Sequence, residues 1–217
     1  MKKVLVGLAT GLFLFGMVVT ANAVLIGGVE FPDGSISFAD SVYSYSPGTN
    51  VGTNSAWDNP EAALGIPDYS GANNTAVSLG VYGVLTLQFT DNSLTTSGDD
   101  VFDLWIFEVG GATEWMNVAI STDASNWIDL GNVLGQPTGI DIDGISGVTI
   151  GAQYSYVRIS DILPNQSGNP YGEADIDAVG AISSAPPVKP VPEPSTILLM
   201  GIGLLGLVGI KARKQKS

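Results

Sequence analysis

Between Val24 and Ala185 no apolar run outlasts a β-strand before Gly, Asn, Asp, Ser or Pro interrupts it, and this punctuation leaves little room for any fold but an all-β one. Strands are predicted near 24–31, 35–45, 76–79, 83–90, 101–109, 115–121, 126–130, 139–142, 154–160 and 175–182. Within 83–90, Leu85, Leu87 and Phe89 point one way while Thr86, Gln88 and Thr90 point the other, the alternation of a half-buried strand. The stretch 101–109 (VFDLWIFEV) is apolar on nearly both faces and belongs in the middle of a sheet. Only one short segment has helical signals: Asp58 or Asn59 as cap, Pro60 in the first turn and Gly65 as terminator. Many short strands with almost no helix predict an antiparallel β-sandwich, of jelly-roll type. The absence of an internal repeat argues against a solenoid or a propeller.

The two ends have a different character. Lys2 and Lys3, the apolar run Val4–Val19 and the small-x-small site Ala21-Asn22-Ala23 form a secretory signal peptide, so residues 1–23 are set apart from the fold, with cleavage expected after Ala23. The 24–185 body suffices for a single core that buries about 70% of its unfolded surface. Proline then becomes dense, and 186–217 reads as a stiff linker and tail. Its apolar run, 195–210, would be a helix of ~24 Å against a hydrocarbon core of ~30 Å, a short transmembrane span whose flanking lysines can snorkel. Lys211, Arg213, Lys214 and Lys216 in the basic tip 211–217 keep that end cytoplasmic, which puts the body outside.

Charge divides the chain in the same way. Arg158 is the one base between Val24 and Val188 and stands against twenty acids, a net of −19 that the whole-chain value of −13 conceals. Such a surface repels phosphate backbones and anionic bilayers, which excludes nucleic acid as a partner and confines membrane contact to the C-terminal tail. Cysteine and histidine are absent. An exported body without disulfides must take its stability from its core or from ions. Ser-His-Asp and Cys-His catalysis are excluded, as are the usual zinc and copper ligands. Carboxylate chemistry and oxygen-ligand metal binding remain.

Asp175 and Asp177, two apart on a predicted strand, would share a face ~7 Å apart. Together with Glu173 and Asp161 they are the candidate ligands of a structural calcium ion; solvated edge carboxylates are the alternative. A weaker group is Asp99-Asp100 with Glu108 and Glu114, and 141–144 (DIDG) repeats the alternation. A carboxylate pair could also serve a glycoside hydrolase, but an acidic sandwich offers such separations freely, so a non-catalytic protein is expected. Trp57, Tyr69 and Tyr171 fall in Gly/Pro/Asn-rich loops as candidate sugar platforms, whereas Trp105, Trp115 and Trp127 are expected in the core.

The ending, Pro192-Glu193-Pro194 within 191–196, then the apolar run, then the basic tip, resembles the sorting signal of the PEP-CTERM proteins of Gram-negative bacteria. That resemblance implies recognition by exosortase after export, an inner-membrane-tethered intermediate, and release to or attachment at the cell surface or matrix, in company with exopolysaccharide and biofilm. In the body, 121–131 (STDASNWIDLG) and 156–161 (YVRISD) are similar to the discoidin-like, galactose-binding-like sandwiches, where Ser-x-Asp-Gly-x-x-Trp precedes an Arg-Tyr-Val-Arg strand. Ala124 stands where that pattern has Gly, and its first Arg is missing. The resemblance implies the fold and transfers no ligand. The expected function is therefore an exported, carbohydrate-binding or adhesive module in exopolysaccharide, or a purely structural surface protein.

Overall fold

Gly27 and Gly28 take φ of +58° and +84°, the left-handed region that glycine enters freely. The stretch expected as one strand over 24–31 is therefore a hairpin, β1 (Val24–Ile26) folded back on β2 (Val29–Phe31). The computed structural model describes residues 23–49, 57–70, 75–162 and 173–187. The remaining strands are β3 (Ser41–Ser46), β4 (Val77–Ser78), β5 (Val84–Gln88), β6 (Ser93–Leu94), β7 (Leu104–Val109), β8 (Trp115–Ser121), β9 (Ile128–Leu134), β10 (Thr138–Ile140), β11 (Tyr156–Asp161), β12 (Asp175–Ala181) and β13 (Ser184–Ala185). All pairings among them are antiparallel.

Two sheets dominate, a four-stranded one in the order β10-β7-β12-β4 and a five-stranded one in the order β3-β5-β11-β8-β9. The expected helix is a short 3-10 turn, Pro60–Ala63, in which the Asn59 side chain accepts the N–H of Glu61 at 3.3 Å. A second 3-10 turn, Gly34–Ser37, occupies the start of the strand expected over 35–45. No described helix is long and apolar enough to cross a membrane. The signal peptide (but for Ala23), the sorting tail with its 195–210 run, and Tyr171 lie outside the described residues.

Alternation fills the space between the sheets. Leu104 and Ile106 of β7 and Ile176 and Val179 of β12 meet Leu85 and Leu87, Met116, Val118 and Ile120, and Val157 and Ile159 from the facing sheet in one buried cluster. Each such side chain contributes about 1.5–3 kcal/mol by leaving water, which lets a chain without disulfides hold together. The outward face of β7 is buried too. Phe31 from the first hairpin and Phe38 pack on Phe107, with ring centroids 4.5–6.2 Å apart. That second layer explains why 101–109 is apolar on both sides, and β7 does lie inside its sheet.

The tryptophans depart from expectation. Because Met116, Val118 and Ile120 point inward, alternation turns Trp115 out, and it is 42% exposed. Trp105 is half-buried beside the phenylalanine layer, and Trp127 lies half-buried under Arg158.

Candidate functional site

The inward-facing rows that build the core do not stay apolar to their ends. The row Leu104-Ile106 continues to Glu108, the row running into Met116 begins at Glu114, and Val157-Ile159 continues to Asp161. Period-two geometry thus delivers three carboxylates to one end of the inter-sheet space, and all three are buried. The start of β12 adds Glu173 and Asp175; Asp175 pairs with Val109 across the ladder, and Ile176 pairs with Glu108.

These acids differ in how they are satisfied. Asp161 accepts the backbone N–H of Tyr82 at 3.1 Å and that of Ala174 at 3.3 Å. Among the described residues, Glu108, only 2% exposed, has no hydrogen bond of ordinary geometry to either carboxylate oxygen, and Glu173, 4% exposed, has none to Oε1. Burial pushes the Glu108 carboxyl up to about 10, reinforced by a proton shared with Glu114 and by the charges of Glu114 and Asp175. Glu114 is raised chiefly by burial and by its neighbours Asp161 and Glu173, against the opposing hydrogen bond with Glu108. Burial also raises Glu173, with Asp175 and Asp161 adding to it. Asp175 rises to about 6 through burial and the charge of Glu114, although its bond with Ser78 pulls the other way. Without a counter-ion, the Glu108–Glu114 pair therefore holds a proton more tightly than an ordinary carboxylate does.

Beside this cluster opens a cavity of about 370 Å³ lined by Trp57, Tyr69, Gly110, Gly111, Ala112, Glu114 and Asp175. The Trp57 and Tyr69 rings are 6.1 Å apart and inclined by 49°. Both are anchored through their backbones. The carbonyl of Trp57 accepts the N–H of Ser78 at 2.8 Å. Asp177 accepts the N–H groups of Asp68 and Tyr69 at 3.3 and 3.2 Å.

Asp175 and Asp177 thus serve different neighbours, contrary to the single shared face expected of them. A register shift between Ile176 and Ala178 breaks the period of two at that point. Asp161, Glu173 and Asp175 do come together, joined by Glu108 and Glu114, which the sequence grouped with Asp99-Asp100. Two of the three candidate sugar platforms, Trp57 and Tyr69, meet in one cavity.

A second acidic group joins Asp141 and Asp143 of the 141–144 motif to Asp103, with carboxylate oxygens within 4.8 Å of one another. These groups already have donors. Asp103 accepts the N–H of Ser97 and of Ile142, each at 2.9 Å. Asp143 accepts the Ser97 hydroxyl and the Gly98 N–H at 2.8 and 2.7 Å, and Asp141 accepts the N–H of Asp143 at 2.8 Å. They tie two loops together.

Residues 190–214 match the family model of the PEP-CTERM protein-sorting motif. That motif implies an exported protein, sorted through exosortase by way of a membrane-anchored tail. No curated protein matches the chain.

Proposed function

We propose that the body is a non-catalytic module, of jelly-roll and discoidin-like type, that holds a carbohydrate of the exopolysaccharide matrix in the Trp57–Tyr69 cavity after sorting. The observation that carries this reading is the tilted aromatic pair that lines a cavity together with Glu114 and Asp175. Aromatic faces pack on the C–H faces of sugars, and carboxylates accept their hydroxyls. The five-stranded sheet packed on a four-stranded one supports the fold assignment. Glu108, whose carboxyl is pushed up to about 10, is only 2% exposed and does not line the cavity, which favours binding over catalysis there.

The test is affinity electrophoresis of the full chain, in detergent, through neutral and acidic polysaccharides. Retardation by at least one polysaccharide, reduced about tenfold in Trp57→Ala, is expected. No retardation would leave a structural surface protein. Release of reducing ends from any polysaccharide would make it a hydrolase instead.

A further inference from the structure

We infer that the acidic end of the inter-sheet space is a calcium site, with Glu108, Glu114, Glu173 and Asp175 as its carboxylate ligands. The inference is independent of the sugar reading, because nothing in it needs the cavity to be filled.

Glu108 and Glu173 carry the argument. Both are more than nine-tenths buried; among the described residues Glu173 Oε1 has no hydrogen-bond partner, and Glu108 meets only the Glu114 carboxyl and the Asp175 N–H, neither in ordinary hydrogen-bond geometry. Acids held in that way recover little of their desolvation penalty. At position 108 the strand's own alternation asks for another Leu or Ile, as at 104 and 106. The same holds at 114 and 161, so packing does not account for three acids gathered at one end of one core. Nor does a cation among the described residues neutralise them. Arg158 is the sole base of the body, and it sits on the opposite face of its sheet, stacked on Trp127.

What fits is an external cation with a preference for oxygen. The donor set contains neither nitrogen nor sulfur, and it comes from three separate stretches of chain: the end of β7, the residue before β8, and the start of β12. Calcium accepts six to eight oxygens in irregular geometry, whereas magnesium demands a small, near-ideal octahedron and keeps its waters. Asp161, which accepts two backbone amides, fixes the position of Ala174 between Glu173 and Asp175. The Asp103–Asp141–Asp143 group is the contrasting case: its oxygens lie within 4.8 Å of one another, closer than any three of the proposed ligands, which must draw together on the ion, but each of its carboxylates already accepts at least one backbone N–H.

The full chain, dialysed against chelator, is melted with and without calcium, and with magnesium as a control. Calcium at about a hundredfold excess over its dissociation constant is expected to raise Tm by about 5–10 °C, and magnesium by much less. Glu108→Gln and Asp175→Asn should each abolish the rise, while Asp141→Asn retains it. Asp175 is only half-buried, so its variant decides the matter should Glu108→Gln fail to fold. The proposal is overturned by the absence of a calcium shift, by an equal response to magnesium, by a shift that survives Asp175→Asn, or by one lost in Asp141→Asn.

Discussion

The guanidinium carbon of Arg158 lies 4.2 Å from the centre of the Trp127 ring. On β11, Arg158 stands opposite Thr86 of one neighbouring strand and Ala119 of the other, and both are buried although they face outward from the core. Arg158 is their cross-strand neighbour on that face, where its long side chain can cover apolar surface. Arg158 also helps to hold the Asp129 carboxyl below its usual range, after the N–H of Gly131 and the side chain of Asn117. Arg158→Ala should cost about 1–2 kcal/mol through loss of the stacked cation and the uncovered surface, and Arg158→Lys about half of that. Urea unfolding followed by Trp127 fluorescence measures both, and equal costs for the two variants would argue that the charge alone contributes nothing there and that the planar guanidinium is required.

Ala124 adopts φ +59°, a left-handed conformation uncommon for a residue with a Cβ. It sits in the turn where the related pattern has glycine. Asp123 keeps the turn in shape by accepting the N–H groups of Ser125 and Asn126, each at 2.8 Å, and the Asn126 amide at 2.8 Å. These bonds hold the Asp123 carboxyl well below the ordinary range. Removing the strained Cβ while leaving that network intact predicts that Ala124→Gly stabilises the protein by about 0.5–1 kcal/mol, net of the extra entropy of glycine in the unfolded chain. The denaturation midpoint should move up; a fall would mean that the turn carries no strain.

Where the period of two ran undisturbed, sequence was enough: Leu85, Leu87 and Phe89 are buried as the pattern of 83–90 requires. Gly27-Gly28 was a hairpin signal inside a run taken for one strand. The division between Asp175 and Asp177 comes from a register shift that no count of alternate residues reveals. Glu108 was legible in principle, as an acid at an inward position of an apolar strand. Asp103, in that same run, was not, because its partner Ile142 lies 39 residues away and nothing local announces the meeting. Trp57 and Tyr69 could be chosen as loop aromatics, but their contact depends on two anchors elsewhere in the chain.

Tyr45 provides a pH test at a contact between the two sheets. Its hydroxyl donates to the carbonyl of Ser78 at 2.7 Å, joining a strand of the five-stranded sheet to one of the four-stranded sheet. Burial, aided by the charges of Asp58 and Asp175, raises its pKa from 10.0 to about 12. The folded chain therefore keeps this proton where the unfolded chain has lost it. The stabilisation is complete below pH 10, declines as pH rises from there, and is gone above about 12. Urea midpoints between pH 8 and 12 should fall more steeply in the parent than in Tyr45→Phe. Phenolate absorbance at 295 nm would report the late titration, and a tyrosine titrating normally at this site would refute it.

Asp177 is the anchor that holds one half of the aromatic pair. It is buried, and its two carboxylate oxygens accept the consecutive N–H groups of Asp68 and Tyr69. Burial raises its pKa, and those two amides work against the rise, as they would if the ionised form were the one being held. Asp177→Ala leaves both N–H groups without their acceptor and should cost about 1–3 kcal/mol. The loss should be local as well as global, since Tyr69 touches the cavity and Asp177 does not line it. Hydrogen exchange at the Asp68 and Tyr69 amides should accelerate more than at the core amides of β11, and polysaccharide retardation should weaken with Trp57 and Tyr69 both still present. Asp177→Asn, which keeps one acceptor oxygen, should fall between the parent and the alanine variant on both measures. If exchange accelerates everywhere to the same degree, Asp177 supports the fold as a whole and not the loop that places Tyr69.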